Sequence, residues 1–409
     1  MAASDPDNDV HVLALNSGSS SLKFGLYRLR GAGTDCLLEG VAEMIGEATA
    51  QFHVDDAQGC TMLRETAPMA TPAAAFMRIG QLLTESRAPS PHAVGHRIVH
   101  GGTKLREHCV IDDSVMQQLE AATAFAPVHA PAALALIRIA AEHFPGLPQV
   151  ACLDTGFHAR IPRVACTLPL PRELRASGIQ RYGFHGLSCE SIVEQLAGAP
   201  PARLVIAHLG NGASITAVRD GVSIDTSMGM TPTGGVIMGS RSGDLDPGVL
   251  VHLMRTLTLD ATAMEKLVDQ RSGLLGISGV SSDMRSLHEA AGSNEDARLA
   301  IEMFCYEVAK RLGAMSTVLN GVDMIVFTGG IGENDAAVRS DVCARLSCLG
   351  VDLDEDRNQR GSGLISRDGS RCRVQVLPSK EDAQIAVHTG TLCRRQTGHP
   401  PGTSQRITR

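Results

Sequence analysis

Residues 225–248 combine six glycines, three acids and a single base, Arg241, in the order Asp225-Thr-Ser-Met-Gly-Met-Thr-Pro-Thr-Gly-Gly-Val-Ile-Met-Gly-Ser-Arg-Ser-Gly-Asp-Leu-Asp-Pro-Gly248. Neither helix nor strand tolerates that composition. Glycine lets backbone approach a ligand closely, and the guanidinium is a planar fork of donors that fits carboxylate or phosphate, so the stretch reads as the lining of an anion site. A mobile surface loop is the other reading, but linkers rarely carry Met228-Gly-Met230 or Val236-Ile-Met238.

Two shorter turns point to the same chemistry. Val10–Leu15 reads as a buried strand, 16–21 as a polar turn, and Leu22–Leu29 as the next strand, with a hairpin partner around 36–41. The pattern returns 192 residues later. There Leu204–Ala207 is a strand, His208-Leu-Gly-Asn-Gly-Ala-Ser214 a turn, and Ile215–Val218 a second strand closed at Arg219-Asp-Gly221, with Asn16-x-Gly18 overlaying His208-x-Gly210. A repeat of that spacing predicts a duplicated α/β unit with two phosphate-facing hairpins and a ligand between them.

The positioning elements follow from periodicity. Helices are predicted over 71–86, 112–123, 131–143, 187–197, 248–255, 260–268 and 294–320; the last is amphipathic through Leu299, Ile301, Phe304, Val308, Leu312 and Met315. The strand 323–328 feeds Gly329-Gly-Ile-Gly-Glu-Asn334, read as a glycine turn that leaves the amides of a helix over 335–346 facing a ligand. Beyond Cys393 the chain reads as disordered.

Composition sets the limits. At 409 residues the chain exceeds the roughly 250–300 at which single cores stop growing, so two domains are expected. No run of about 18 apolar residues occurs, and the start is acidic where a signal peptide is basic and then apolar, so a cytoplasmic protein without a membrane role is expected. Eleven cysteines, none in C-x-x-C spacing, read as reduced core thiols rather than disulfides or zinc ligands. Net charge −7, no Trp and 3% aromatic residues leave no footprint for nucleic acid.

With these residues in view, the chain resembles the acetate kinase family from about Val12 to Ala386. The carriers are Leu15-Asn-Ser-Gly-Ser-Ser-Ser-Leu-Lys-Phe24, Gly95-His-Arg-Ile-Val-His-Gly-Gly102, Asp154-Thr-Gly-Phe-His158, Arg181-Tyr-Gly-Phe-His-Gly186, His208-Leu-Gly-Asn-Gly212, the 225–248 stretch and Phe327-Thr-Gly-Gly-Ile-Gly-Glu-Asn334. The resemblance implies an α/β protein with two related actin-like (ribonuclease H-like) domains and a cleft between them that closes over ATP. They would divide as 10–152, completed by a helix over 384–394, and 153–383, with flexible tails at 1–9 and 395–409. It also implies a homodimer that moves phosphate between ATP and acetate, giving acetyl phosphate and ADP, with Mg²⁺, or Mn²⁺ in its place.

Phosphoryl transfer to a carboxylate needs positioning and positive charge rather than a base, because the nucleophile, with a pKa around 4, is already ionised. The resemblance assigns Arg97 and Arg241 to the acetate carboxylate and the transferring phosphoryl, His185 to the group in flight, and His129 and His208 to its surroundings. It makes Asp154 the catalytic acid, or the residue that orients Arg97. Lys23, Ser19 and Ser21 form the first phosphate turn; His208, Leu209, Gly210, Asn211 and Gly212 form the second. Asp283, Met284 and Arg285, with Gly329, Gly330, Ile331, Gly332 and Glu333, match adenosine-binding segments, and Asn16 and Glu381 match metal positions. Val99, on Arg97's side of the strand if 95–100 is extended, would wall the methyl group with Val128 and Pro232.

Departures from the family pattern occur at His129-Ala-Pro-Ala-Ala133, Gly186-Leu-Ser-Cys189, Thr231-Pro-Thr-Gly-Gly235 and around Glu381, flanked by Lys380 and Asp382. A kinase for propionate or a longer acyl chain, and a non-catalytic ATP-gated clamp, are the competing readings. The clamp has no use for Arg97, Asp154, His185 and Arg241 together.

Overall fold

The structure is a computed structural model and describes residues 9–18, 20–31, 33–127 and 129–396. It divides into two units, one ending at Gly156 and resuming at Lys380, the other spanning Phe157–Ser379.

The first unit is built on strands β1 (Val10–Ser17), β2 (Leu22–Arg30), β3 (Gly33–Glu43), β4 (Gln51–Asp56), β5 (Thr61–Thr66), β6 (Ala93–Ile98), β7 (Cys109–Val110) and β8 (Gln149–Leu153). They form one sheet in the order β5-β4-β3-β2-β1-β6-β8-β7. β1 pairs antiparallel with β2 and parallel with β6, which pairs parallel with β8. Central β1 and β8 are apolar runs covered on both faces, while edge strand β5 alternates exposed and half-buried residues. The sequence reading missed β4 and β5, whose apolar residues Phe52, Val54 and Leu63 are few and interleaved with polar ones; Asp56 turns them by accepting from the amides of Gln58 and Cys60, each at 2.9 Å.

One face of this sheet packs Leu13, Leu15 and Phe24 against Phe76 and Ile79 of the helix Pro72–Glu85 and Leu136 of the helix Ala130–His143. Thr71 caps the first of these helices, accepting from Ala74 N at 3.2 Å ahead of a proline in its first turn. The helix Glu381–Gln396 packs against β1, β6, β2 and β8. Its close approach requires Gly95, where a Cβ would collide with Thr389 and Ile385. The helix runs through Arg394 and Arg395, past the point where the sequence reads as disordered. Arg394 holds it down by donating to Leu29 O and Gly31 O at 3.1 and 3.2 Å. The rest of the expected tails, 1–8 and 397–409, lies outside the described residues.

The second unit carries β9 (Arg203–Leu209), β10 (Ala213–Arg219), β11 (Val222–Thr226), β12 (Met324–Thr328), β13 (Gly363–Leu364) and β14 (Arg373–Val376), in the order β11-β10-β9-β12-β14-β13. Here too a central strand, β9, pairs antiparallel with the strand that follows it and parallel with β12, which pairs parallel with β14. The predicted repeat is therefore real at the level of topology: β3-β2-β1-β6-β8 and β11-β10-β9-β12-β14 are the same five strands. Leu204, Ile206, Val218, Met324 and Val326 pack with Cys189 and Ile192 of the helix Gly186–Gln195. The long helix Glu295–Val318, capped by Asn294, also packs on β9 and β10.

Register fixes which positions correspond. His96 lies across from Leu15 on one side and Ala151 on the other, as Phe327 does from Ala207 and Val376. One residue further along each strand, Asn16, Arg97 and Cys152 match His208, Thr328 and Leu377. Two beyond Cys152 and Leu377 stand Asp154 and Ser379. Among the described residues no helix is long and apolar enough to cross a membrane.

Candidate functional site

Both units place polar residues at the carboxyl ends of their parallel strands, where open α/β sheets bind ligands. In the first unit Asn16 and Arg97 lie near the ends of β1 and β6, and Asp154 follows β8, its amide held by Ile98 O at 2.8 Å. Arg97 Nη2 donates to Asp154 Oδ2 at 2.6 Å and Nη1 to Asn16 Oδ1 at 3.2 Å. Asn16 Nδ2 donates to Glu381 Oε2 at 3.1 Å and Asp382 Oδ1 at 3.0 Å. Asp154 is fully buried. Burial opposes the charge on Arg97, but Asp154, Glu381 and Asp382 outweigh it and hold the guanidinium above its ordinary range. Desolvation pushes the Asp382 carboxyl up to about 6; Asn16 opposes this by hydrogen bonding, and the charge of Glu381 adds to it.

The donor chemistry of this cluster is of the kind a hard cation takes. Its carboxylates and amide are oxygen donors, and Asp154 Oδ1 is a buried acceptor with no partner among the described residues, as Arg97 Nε is a buried donor without one. Asp382, which the sequence presents only as a departure, is tied into the cluster through Asn16. The signal available was two adjacent acids opening a helix.

Lys23 is exposed on β2, and Ser21 closes the tight turn in which Gly18 N donates to Ser21 O at 2.8 Å. Ser19 lies outside the described residues, as does Val128. His129 opens the helix Ala130–His143. β6 ends at Ile98, so the strand does not extend to His100 as the Val99 argument assumes. The alternation nevertheless persists, with Arg97 and Val99 partly exposed and His96, Ile98 and His100 buried.

In the second unit His208 lies near the end of β9 and stacks on His185, ring centroids 4.1 Å apart. His185 caps the helix Gly186–Gln195 in a left-handed conformation, φ 58°, and its Nδ1 meets Ser214 Oγ at 3.0 Å. A non-glycine residue in that region costs about 1 kcal/mol, which the surrounding burial offsets. Gly212 shows what the arrangement aims at. A Cβ there would stand 3.1 Å from His185 Nε2 and 3.4 Å from Arg241 Nη1, so the two nitrogens converge on the space that glycine leaves open.

Arg241 is held by the stretch that carries it. Its Nη1 donates to Pro232 O at 3.3 Å, Gly239 N donates to Asn211 O at 3.0 Å, and Leu274 N donates to Met238 O at 2.9 Å. Residues 226–228 and 235–239 are buried, so that part of the stretch packs inside the unit, while 244–248 lie exposed. A Cβ at Gly239 would displace the Asn211 side-chain amide, whose Oδ1 occupies that space.

The adenosine segments differ from expectation. Gly329–Asn334 is not a turn ahead of a helix but a short helix itself, and Glu333 Oε1 already accepts from Gly329 N at 2.8 Å, so that amide faces its own side chain. Gly330 borders open space. Met284 is buried, while Arg285 folds back on Asp283 at 2.6 Å and, by that hydrogen bond, holds its carboxyl below the ordinary range. The sequence reading did not single out Ser188, Ser214 or Ser379, all hydroxyls that meet a site histidine or each other, because isolated serines carry no spacing signal.

The chain matches the acetokinase family over residues 11–387. Acetate kinase of Dichelobacter nodosus (strain VCS1703A) is 42% identical over 390 residues, 93% of this chain and 98% of that protein. Acetate kinase of Heliobacterium modesticaldum (strain ATCC 51547 / Ice1) is 42% identical over 94% of this chain and 99% of its own length. Among solved structures, a propionate kinase from Francisella tularensis subsp. tularensis SCHU S4 superposes with a TM-score of 0.87 at 36% identity, covering 94% of this chain and 100% of its own. Porphyromonas gingivalis acetate kinase gives 0.82 at 36% identity, covering 94% and 100%. Identity at this level over nearly the whole length, with the motif residues gathered at the strand ends of both repeats, establishes that the chain belongs to the acetokinase family.

Proposed function

We propose that this protein is a Mg²⁺-dependent acetate kinase that transfers the γ-phosphoryl group of ATP to acetate and catalyses the reverse reaction. The convergence of His185 Nε2 and Arg241 Nη1 beside Gly212 carries the reading, because two donors aimed at one point are what a loose, anionic transition state requires. A carboxylate oxygen attacks phosphorus in line; the new O–P bond forms as the bond to the β-phosphate oxygen breaks, and that oxygen leaves with the electron pair. No proton moves, so no base is needed.

In this reading Arg97, oriented by Asp154, holds the acetate carboxylate. Val99, Val128 and Pro232 surround its methyl group, Arg241 and His185 stabilise the phosphoryl group, and His129 and His208 stand near it. Lys23, Ser19 and Ser21, and the turn 208–212, take the phosphates; Asp283–Arg285 and the open side at Gly330 take the adenosine. Asn16 and Glu381, with Asp382 beside them, would hold Mg²⁺ or Mn²⁺, whose contribution when bound is to neutralise β- and γ-phosphate charge. The two units act as its two domains. A cytoplasmic homodimer fits the exposed apolar side chains Val249, Val251, Met254, Leu299, Met303 and Tyr306.

The test is trapping of acyl hydroxamate from ATP, Mg²⁺ and a series of short carboxylates. Acetate is expected to exceed propionate, and the ratio to shrink in Val99→Ala, since one methylene in an apolar pocket is worth about 1–3 kcal/mol. Preference for propionate would favour the activity named for the Francisella protein. No hydroxamate with any carboxylate would overturn the kinase reading.

A further inference from the structure

We propose that Ser188 and Ser379 are positioning residues that hold His208 as the neutral imidazole protonated at Nε2, so that its only ring donor points away from the serine relay. The relay begins at Glu333, whose Oε1 accepts from Ser379 N at 3.0 Å as well as from Gly329 N. Ser379 Oγ donates to Ser188 Oγ at 3.0 Å, and Ser188 Oγ meets His208 Nδ1 at 2.8 Å. A hydroxyl has one proton to give. Ser188 Oγ accepts from Ser379, and for its own proton His208 Nδ1 is the acceptor within reach; leaving that proton unpaired at a buried hydroxyl would be costly, so we assign the imidazole hydrogen to Nε2. Ser188 is fully buried and its helix is anchored by His185 as cap, so the hydroxyl has little freedom to turn elsewhere.

The repeat sharpens the point. Ser379 occupies the register position that Asp154 holds in the first unit. A carboxylate there would draw positive charge towards the ring by direct or relayed interaction, whereas a hydroxyl fixes the tautomer and leaves the ring uncharged. The relay also ties His208 to the short helix Gly329–Asn334, so one carboxylate, Glu333, orders both. The inference rests on the reading that His208 serves the phosphates, but its central claim concerns the tautomer and is measurable without turnover.

The experiment uses the full chain labelled with ¹⁵N-histidine, with long-range ¹H–¹⁵N correlation at pH 8 and the His208 signals identified by their loss in His208→Gln. The expected pattern is an unprotonated Nδ1 and a protonated Nε2 in the wild type. In Ser188→Ala that preference is lost and kcat falls about ten-fold, the worth of one hydrogen bond, with KM for acetate unchanged. Ser379→Ala keeps the Ser188 contact and should produce the same change in smaller degree. A wild-type His208 protonated at Nδ1 or at both nitrogens overturns the proposal, whether or not the variants fold. So does a folded Ser188→Ala that keeps both tautomer and kcat. The expected tautomer in a protein that forms no hydroxamate would instead count against the kinase reading.

Discussion

In the first unit β1, β6 and β8 lead into Asn16, Arg97 and Asp154; at the same register in the second unit stand His208, Thr328 and Ser379. One scaffold thus carries two kinds of chemistry. The first unit gathers full charges, one guanidinium, Arg97, among three acids, Asp154, Glu381 and Asp382. The second uses imidazoles, hydroxyls and glycines around a single guanidinium, Arg241. The carboxyl ends of parallel strands supply directed positions and nothing more. What a position does depends on the residue placed there, which is why duplication of a fold leaves function free to diverge between the copies.

The difference predicts unequal responses to equivalent substitutions. Arg97→Ala leaves Asp154 buried and uncompensated, and should cost about 3–5 kcal/mol. Thr328→Ala removes the long 3.4 Å contact to Glu333 and one buried methyl group, and should cost about 1–2 kcal/mol. Urea unfolding of both variants checks this, and equal losses would mean that the charge network contributes nothing the neutral one lacks. Joint replacement of Arg97 by Met and Asp154 by Leu should recover most of the stability while activity stays lost, because the apolar pair restores packing but leaves no donor for a carboxylate.

In the second unit the sensitive quantity is rate. Arg241→Ala should lower kcat about a hundred-fold or more, with a smaller change in KM for ATP, because its partner charge develops in the transition state. Gly212→Ala refines the point. The added methyl would crowd His185 Nε2 and Arg241 Nη1, so kcat should drop about ten-fold while thermal stability stays within about 0.5 kcal/mol. Steady-state kinetics on the two variants decide the matter; wild-type turnover in Arg241→Ala would detach the 225–248 stretch from the chemistry.

How far the sequence shows this varies by region. The two hairpins were legible because buried parallel-sheet strands are short apolar runs bounded by polar turns, and their repeat survives as Asn16-x-Gly18 and His208-x-Gly210. The amphipathic helix 294–320 was legible by its period through the buried Phe304, Val308, Leu312 and Met315, whereas Leu299, read into the same stripe, is exposed and Ile301 half-buried. β4 and β5 were not singled out: β4 carries only Phe52 and Val54 as alternating apolar residues, too short a run to stand out, and the edge strand β5 is mostly exposed. Gly329–Asn334 misled because glycine argues against helix; tertiary packing at Leu209 and the Glu333 carboxylate override that propensity. In the site, Arg241 stood out as one base among glycines. Ser188 and Ser379 did not, because their role exists only once three distant segments meet.

A buried histidine supplies the last test of the comparison. His96 matches Phe327 by register, so the first unit holds a titratable ring where the second holds an apolar one. Its Nε2 contacts Gln149 Oε1 at 2.6 Å, its Nδ1 is buried without a partner among the described residues, and burial pushes its pKa down to about 4. A proton added at Nδ1 would have no acceptor. The unfolded chain binds that proton near pH 6.5 and the folded chain only near pH 4. Stability from this group is therefore complete above pH 6.5 and falls as pH drops to about 4, by at most about 1.4 kcal/mol per pH unit. Asp382, raised to about 6, gives a slope of opposite sign over part of that window, so the informative quantity is the difference between wild type and His96→Asn. Chemical denaturation between pH 4 and 8 should show the two curves running parallel above pH 6.5, with wild type losing stability faster below it. Curves that stay parallel throughout would mean that His96 takes its proton in the folded state as readily as in the unfolded one.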